Sequence, residues 1–160
     1  MGLKRGDAKG LRVGLVTASF NAVYTRRLLA SAKSRLLALG AGPAALHEVW
    51  VPGALELPLA ALALAKTRRF DAIITLGCVI RGDTSHYDLV CEGAMSGTLQ
   101  ASLSTGVPVL FGVITCENKA QAIARCNGGP QDSGRHAAEA AVTMARLLKA
   151  ESKPVSKKGR

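Results

Sequence analysis

Short, almost unbroken apolar runs alternate along the chain with longer stretches whose apolar residues recur every three to four positions. Residues 12–17 (RVGLVT), 47–51 (HEVWV), 71–80 (DAIITLGCVI) and 107–115 (VPVLFGVIT) are the short runs. Rich in Val, Ile and Leu, they are predicted as strands. Residues 22–39 are predicted as a helix with Leu28, Leu29, Ala32, Leu36 and Leu39 on one side, stopped by the Gly/Pro cluster at 40–43. Residues 54–66 form an Ala/Leu-rich helix with Pro58 near its first turn, where a missing N–H costs little. Residues 85–105 read as a long helix and 119–125 as a short one. A Gly/Pro/Asp/Ser loop at 126–134 precedes a last helix over 135–150.

Strands that are apolar without alternation are buried on both faces, which calls for a parallel sheet between two helical layers. The expected fold class is α/β: a three-layer αβα sandwich on a four-stranded parallel sheet, flavodoxin-like in outline. At 160 residues the chain holds one such domain, taken as 12–150. No apolar run approaches the roughly 18 residues of a membrane span, and the N-terminal stretch lacks the features of a secretory leader. The expected location is the cytoplasm, with no membrane partner. Cys78, Cys91, Cys116 and Cys126 have no C-x-x-C spacing, so reduced, mostly buried thiols are expected and no metal site is.

The net charge of +10 changes the picture only at the ends. Residues 1–12 contribute +3, residues 149–160 contribute +4, and the 136 residues between them only +3. Residues 1–11 read as a flexible basic arm and 151–160 as a disordered basic tail. Either could solubilise the protein or hold an acidic partner. The body shows no recognition-helix motif, so nucleic acid is not an expected ligand.

Parallel sheets bind ligands at the carboxyl ends of their strands, which points to residues 20–21, 53–56, 82–86 and 115–118. Dinucleotide, P-loop and nucleophile-elbow signatures are all missing, and no lysine stands out as a buried Schiff-base former. Gly82 permits close approach of backbone to a ligand. The N–H groups of Asp83, Thr84 and Ser85 open a helix, an arrangement that attracts phosphate. His86, one turn in, can transfer protons near neutral pH. Simple capping by Asp83 or Thr84, with His86 as a surface residue, is the competing reading. Glu56 behind Gly53 suits the hydroxyls of a sugar-like chain, or else complements the helix dipole. Phe20 can stack on a flat ring and Asn21 can bind hydroxyls; locally, a core Phe and an N-cap Asn explain them better.

Five segments together resemble the lumazine synthase family: SFN at 19–21, VPGALELP at 51–58, GCVIRGDTSHYD at 77–88, GVPVLFGVIT at 106–115 and ENKAQAIAR at 117–125. They occur in the family's order and spacing, and the resemblance extends over about residues 12–148. It implies condensation of 5-amino-6-(D-ribitylamino)uracil with 3,4-dihydroxy-2-butanone 4-phosphate, without metal or organic cofactor. It further implies that Phe20 stacks on the pyrimidine, and that Asn21, Ala54, Leu55 and Glu56, with Gly53 beside them, hold the ribityl chain and ring edge. Val79 and Ile80 offer backbone groups to the ring, with Cys78 among the substrate-binding residues. Gly82, Asp83 and Thr84 cradle the phosphate with Arg125 as its charged partner, and His86 carries protons. Phe111 reaches in from a neighbouring subunit, so a homo-oligomer with shared sites is implied: a pentamer, paired pentamers or an icosahedral shell. Riboflavin synthase is a candidate partner. Two departures stand out. Ser133 occupies the place of a lysine common in relatives, with Arg135 the nearest candidate replacement, and Leu55 stands where relatives often carry Phe or Tyr. A flavin- or lumazine-binding homologue without synthase activity is the alternative reading.

Overall fold

A computed structural model describes residues 2–152. Four strands, β1 (Val13–Ala18), β2 (Leu46–Val51), β3 (Ala72–Ile80) and β4 (Val109–Cys116), form one parallel sheet in the order β2-β1-β3-β4. Five helices connect and cover them: α1 (Ala22–Ala38), α2 (Leu57–Lys66), α3 (His86–Thr105), α4 (Lys119–Ala124) and α5 (Ser133–Glu151).

Strands β1 and β3 are buried on both faces and β4 over most of its length, whereas no residue of the edge strand β2, expected to be buried like the others, is buried. Val13, Leu15, Ala72, Ile74, Leu76, Cys78, Ile114 and Cys116 pack against α1, α4 and α5. Val16, Ala18, Ile73, Val109 and Val113 face α2 and α3. The result is the three-layer αβα sandwich expected. Leu28 and Leu36 of α1 are fully buried, each contributing about 1.5–3 kcal/mol of apolar burial. Small residues let the layers close up. Gly134 stands so near α1 that a Cβ there would strike the Leu28 carbonyl oxygen. At Gly112 a Cβ would come within 2.7 Å of the Thr75 carbonyl oxygen.

Several boundaries differ from expectation. Residues 54–56 form a separate 3₁₀ turn before α2, and β4 begins at Val109, after Pro108. Helix α5 starts at Ser133, inside the expected loop, because buried Asp132 caps it by accepting from the Arg135 N–H at 2.9 Å. The same carboxylate accepts from the Ser31 hydroxyl at 2.6 Å and the Gly128 N–H at 2.7 Å, tying the loop to α1.

The flexible arm expected for residues 1–11 is not what residues 2–11 show. Ala8 and Leu11 are fully buried, and Leu3 packs on the α1/α5 cluster. The N–H groups of Gly6 and Ala8 both donate to the Leu39 carbonyl at 2.9 Å. Arg146 of α5 donates to the carbonyls of Asp7 and Lys9 at 2.6 and 2.7 Å. Three apolar residues among the basic ones are enough to dock the segment. At the other end Glu151 belongs to α5, and the rest of the expected basic tail, 153–160, lies outside the described residues. Among the described residues no helix is long and apolar enough to cross a membrane.

Candidate functional site

A cavity of about 410 Å³ opens at the carboxyl ends of β1, β2 and β3, where a parallel sheet is expected to bind. Phe20, the 53–56 turn, Cys78 to Ile80, Gly82, Thr84 and His86 line it. These come from four separate segments of the chain, and hydrogen bonds hold the segments together. The N–H groups of Ser19 and Phe20 donate to the carbonyls of Val51 and Pro52 at 2.8 and 3.0 Å. The β1–α1 and β2–α2 turns are thereby stapled edge to edge.

Asn21 makes the third staple. It adopts a left-handed backbone (φ 58°) at the N-cap of α1, yet its side chain caps nothing. Its Nδ2 donates instead to the Cys78 carbonyl at 2.8 Å, joining the start of α1 to the end of β3. Asn tolerates this backbone better than most residues. Phe20 is therefore held out over the cavity, 71% exposed. That is no core position, so the core reading of Phe20 fails.

The floor, Cys78 to Ile80, is apolar. Cys78 is buried, and burial, with Cys116 and Cys126 nearby, pushes its thiol up from 9.0 to about 12. Cys116 and Cys126 are raised as well, again chiefly by burial, and all four cysteines are free. The walls differ in character. Gly53 leaves room for the Glu56 carboxylate, since a Cβ would sit 3.1 Å from Oε2.

On the opposite side, the segment between β3 and α3 presents unused donors. Among the described residues the N–H groups of Gly82, Asp83, Thr84 and Ser85 make no hydrogen bond within the protein, and the Thr84 hydroxyl accepts from the His86 N–H at 3.3 Å. Four free N–H groups at the start of a 20-residue helix form a natural seat for an anion. Asp83 stands exposed at the rim and does not line the cavity.

Arg81, the cation nearest this segment, commits three of its five N–H donors to carboxylates. Its Nε donates to Glu117 at 2.7 Å, its two Nη atoms to Asp88 at 3.2 and 3.1 Å, and its guanidinium lies 4.2 Å over the Tyr87 ring. The bonds to Asp88 and Glu117 raise its pKa further above the ordinary arginine value.

Asn21, its amide on the Cys78 carbonyl, is not among the lining residues either, and two further expected site residues lie elsewhere. Phe111 pairs with Thr75 in mid-sheet. Four residues along a strand from Val79, it is about 13 Å short of the cavity. Arg125 caps α4 beside Cys116, exposed and outside the lining. Conversely, Ala18, Tyr87 and Val90 line the cavity without having been singled out. His86, Tyr87 and Val90 share one helix face, so the i, i+4 spacing from His86 was the signal available. A second groove, about 710 Å³, is lined by α1, residues 126–128 and Arg135, and its Arg35 and Arg135 share the Glu139 carboxylate. Arg135 is thus committed to Glu139 rather than standing free beside Ser133.

The sequence model of the 6,7-dimethyl-8-ribityllumazine synthase family matches residues 10–149, nearly the whole chain. The chain belongs to that family. Lumazine synthases are transferases of riboflavin biosynthesis, and the matched region contains every element of the sheet and every residue of the cavity.

Proposed function

We propose that the protein condenses 5-amino-6-(D-ribitylamino)uracil with 3,4-dihydroxy-2-butanone 4-phosphate, giving 6,7-dimethyl-8-ribityllumazine, phosphate and water. The observation that carries this reading is the cavity's polarity. It has an exposed aromatic ring at one wall, a carboxylate at a second and, at a third, Gly82 and Thr84 with free N–H groups beside an imidazole. Phe20 stacks on the pyrimidine. Asn21 holds the turn that presents Phe20. Gly53, Ala54, Leu55 and Glu56 take the ribityl chain and ring edge, and Cys78, Val79 and Ile80 form the floor. Gly82, Asp83 and Thr84 seat the phosphate through backbone and hydroxyl donors.

The imine joins the two substrates directly, so no lysine nucleophile is called for. The amine of the uracil attacks the ketone carbonyl and water leaves. The phosphate then departs with its bridging oxygen and pair of electrons, and ring closure expels the remaining water. His86, at the cavity wall, carries protons between these steps. Much of the acceleration comes from holding the reactants side by side.

The rim of the cavity is short of cations. Glu56, Asp83 and Asp88 are acidic, and Arg81 is already paired. A phosphate dianion therefore needs a cation from elsewhere. Arg125 and Phe111, both outside their own chain's cavity, are assigned to that of an adjoining copy, which makes the active unit a homo-oligomer, a pentamer at the least. Exposed Leu89, Met95, Leu99 and Leu103 along α3 offer an apolar face for such contacts. A cytoplasmic location fits the free, buried thiols.

Ser133 favours a second reading, in which the cavity binds a lumazine or flavin without turnover. Mixing the two substrates with purified protein and following lumazine fluorescence separates the two. Appearance of the fluorophore at rates well above the uncatalysed reaction supports synthesis. Tight lumazine binding with no such increase overturns it.

A further inference from the structure

The Arg81 guanidinium joins three pieces of chain. Its own residue ends β3 and begins the anion-seating segment. Asp88, gripped through both carboxylate oxygens, lies in the first turn of α3. Glu117 follows β4 and is itself held in place, its N–H donating to Gln121 Oε1 at 2.8 Å. The Arg81 N–H donates to the Cys116 carbonyl at 2.9 Å, so backbone and side chain lock the same corner. Tyr87, beneath the guanidinium, is the residue after His86 and lines the cavity.

We propose that Arg81 is a positioning residue: it fixes the segment that seats the phosphate, without touching the phosphate itself. This rests on the reading of function given above. The segment needs such a device. Residues 82–85 donate no backbone hydrogen bond within the described protein, and of their carbonyls only that of Ser85 accepts, from the N–H groups of Asp88 and Leu89 as α3 begins. Their conformation is defined by what grips their two ends, and Arg81 grips both: it anchors one end by its own backbone and holds α3, which begins the other, through Asp88. A cation placed to bind phosphate would keep donors free, whereas Arg81 has Nε and both Nη atoms on carboxylates.

Stability is not the main product of this arrangement. Arg81, Asp88 and Glu117 are 38%, 60% and 55% exposed, and ion pairs of that exposure contribute little to folding. Substitutions there should leave the protein folded while loosening the seat. Lysine cannot replace the planar fork that spans Asp88 and Glu117 together.

The test compares wild type, Arg81→Gln, Arg81→Lys and Glu117→Gln in the full-length protein. Two readouts are used: inorganic phosphate affinity by ³¹P NMR, and the KM of each substrate in lumazine formation. Arg81→Gln is expected to weaken phosphate binding about ten-fold and Glu117→Gln about three-fold, as preorganised donors are released. Arg81→Lys should recover only part of the loss. The KM of the phosphorylated ketone should rise in step while that of the uracil changes less than about two-fold, and the melting temperature should stay near wild type. Tighter phosphate binding by Glu117→Gln overturns the proposal, because a guanidinium freed from its carboxylate would then be a ligand in its own right. Unchanged affinity in Arg81→Gln, or an equal rise in both KM values, overturns it too. Should Arg81→Gln fail to fold, Glu117→Gln and Asp88→Asn carry the test, and both must weaken phosphate. Absence of lumazine formation by wild type defeats the functional reading alone, since the phosphate titration still decides Arg81. Wild type that binds no phosphate defeats both.

Discussion

His86 shows what a single side chain contributes here and what it does not. It sits at the first position of α3, exposed, beside donors that are already in place without it. In the reaction proposed above its share is proton transfer, while the seat and the stacking wall are built by others. His86→Ala is therefore expected to lower turnover by about ten- to a few hundred-fold, with substrate affinity retained. Steady-state kinetics alongside direct binding measure this, and abolished activity with intact binding would show that the imidazole does more. Cys78 gives a pH dependence. Folded, its thiol ionises near 12 rather than 9.0 because burial disfavours the thiolate. The unfolded chain thus loses this proton first as pH rises, and stability present below about 9 drains away between there and about 12. Denaturation midpoints at pH 7.5 and 10.5 should fall further for wild type than for Cys78→Ala. The residual slope of the variant would come from Cys116 and Cys126.

Between residues and molecule stand the helices, whose packing sets what the loops can do. The approach of α5 to α1 depends on the absence of a side chain at 134, where even a methyl group meets backbone rather than a movable side chain. Gly134→Ala should cost about 1–3 kcal/mol, read as a lower urea midpoint. A change under 0.5 kcal/mol would mean the helix pair can part freely. Sequence reading captured this level well where periodicity was strong. All four strands and the bodies of α1, α3 and α5 are where apolar spacing put them. It lost accuracy where one contact from afar decides. Gly134 and Asp132 look like loop residues locally, and only Ser31, about a hundred positions earlier, makes Asp132 a buried cap. The docking of residues 2–11 went unread for the same reason, since its partners Leu39 and Arg146 are distant in sequence. At the site, loop chemistry located Phe20, Glu56, Thr84 and His86. The staple from Asn21 to the Cys78 carbonyl and the pairing of Arg81 belong to three-dimensional proximity, which composition does not encode.

At the scale of the whole molecule, the cavity of one chain has no lysine or arginine among its lining residues. Phe20 hangs exposed over a cavity whose own chain keeps Phe111 and Arg125 away from it. If adjoining copies supply them, two defects in different halves should complement. Phe20→Asp and Phe111→Asp proteins, each impaired alone, should regain activity when co-assembled, with about a quarter of the interfaces carrying two intact halves. Mixed assemblies no more active than either parent would place the whole site in one chain.

One helix links these halves. Helix α1 follows directly on Phe20 and, three turns on, holds the loop behind Arg125 through the bond from Ser31 to Asp132. The Arg125 carbonyl in turn accepts from the Ser133 N–H at 2.9 Å. A ligand that tilts the aromatic ring pulls on the same rod that steadies the arginine. The aromatic wall and the arginine therefore stand at two ends of one rigid path, and a shift at either is felt at the other.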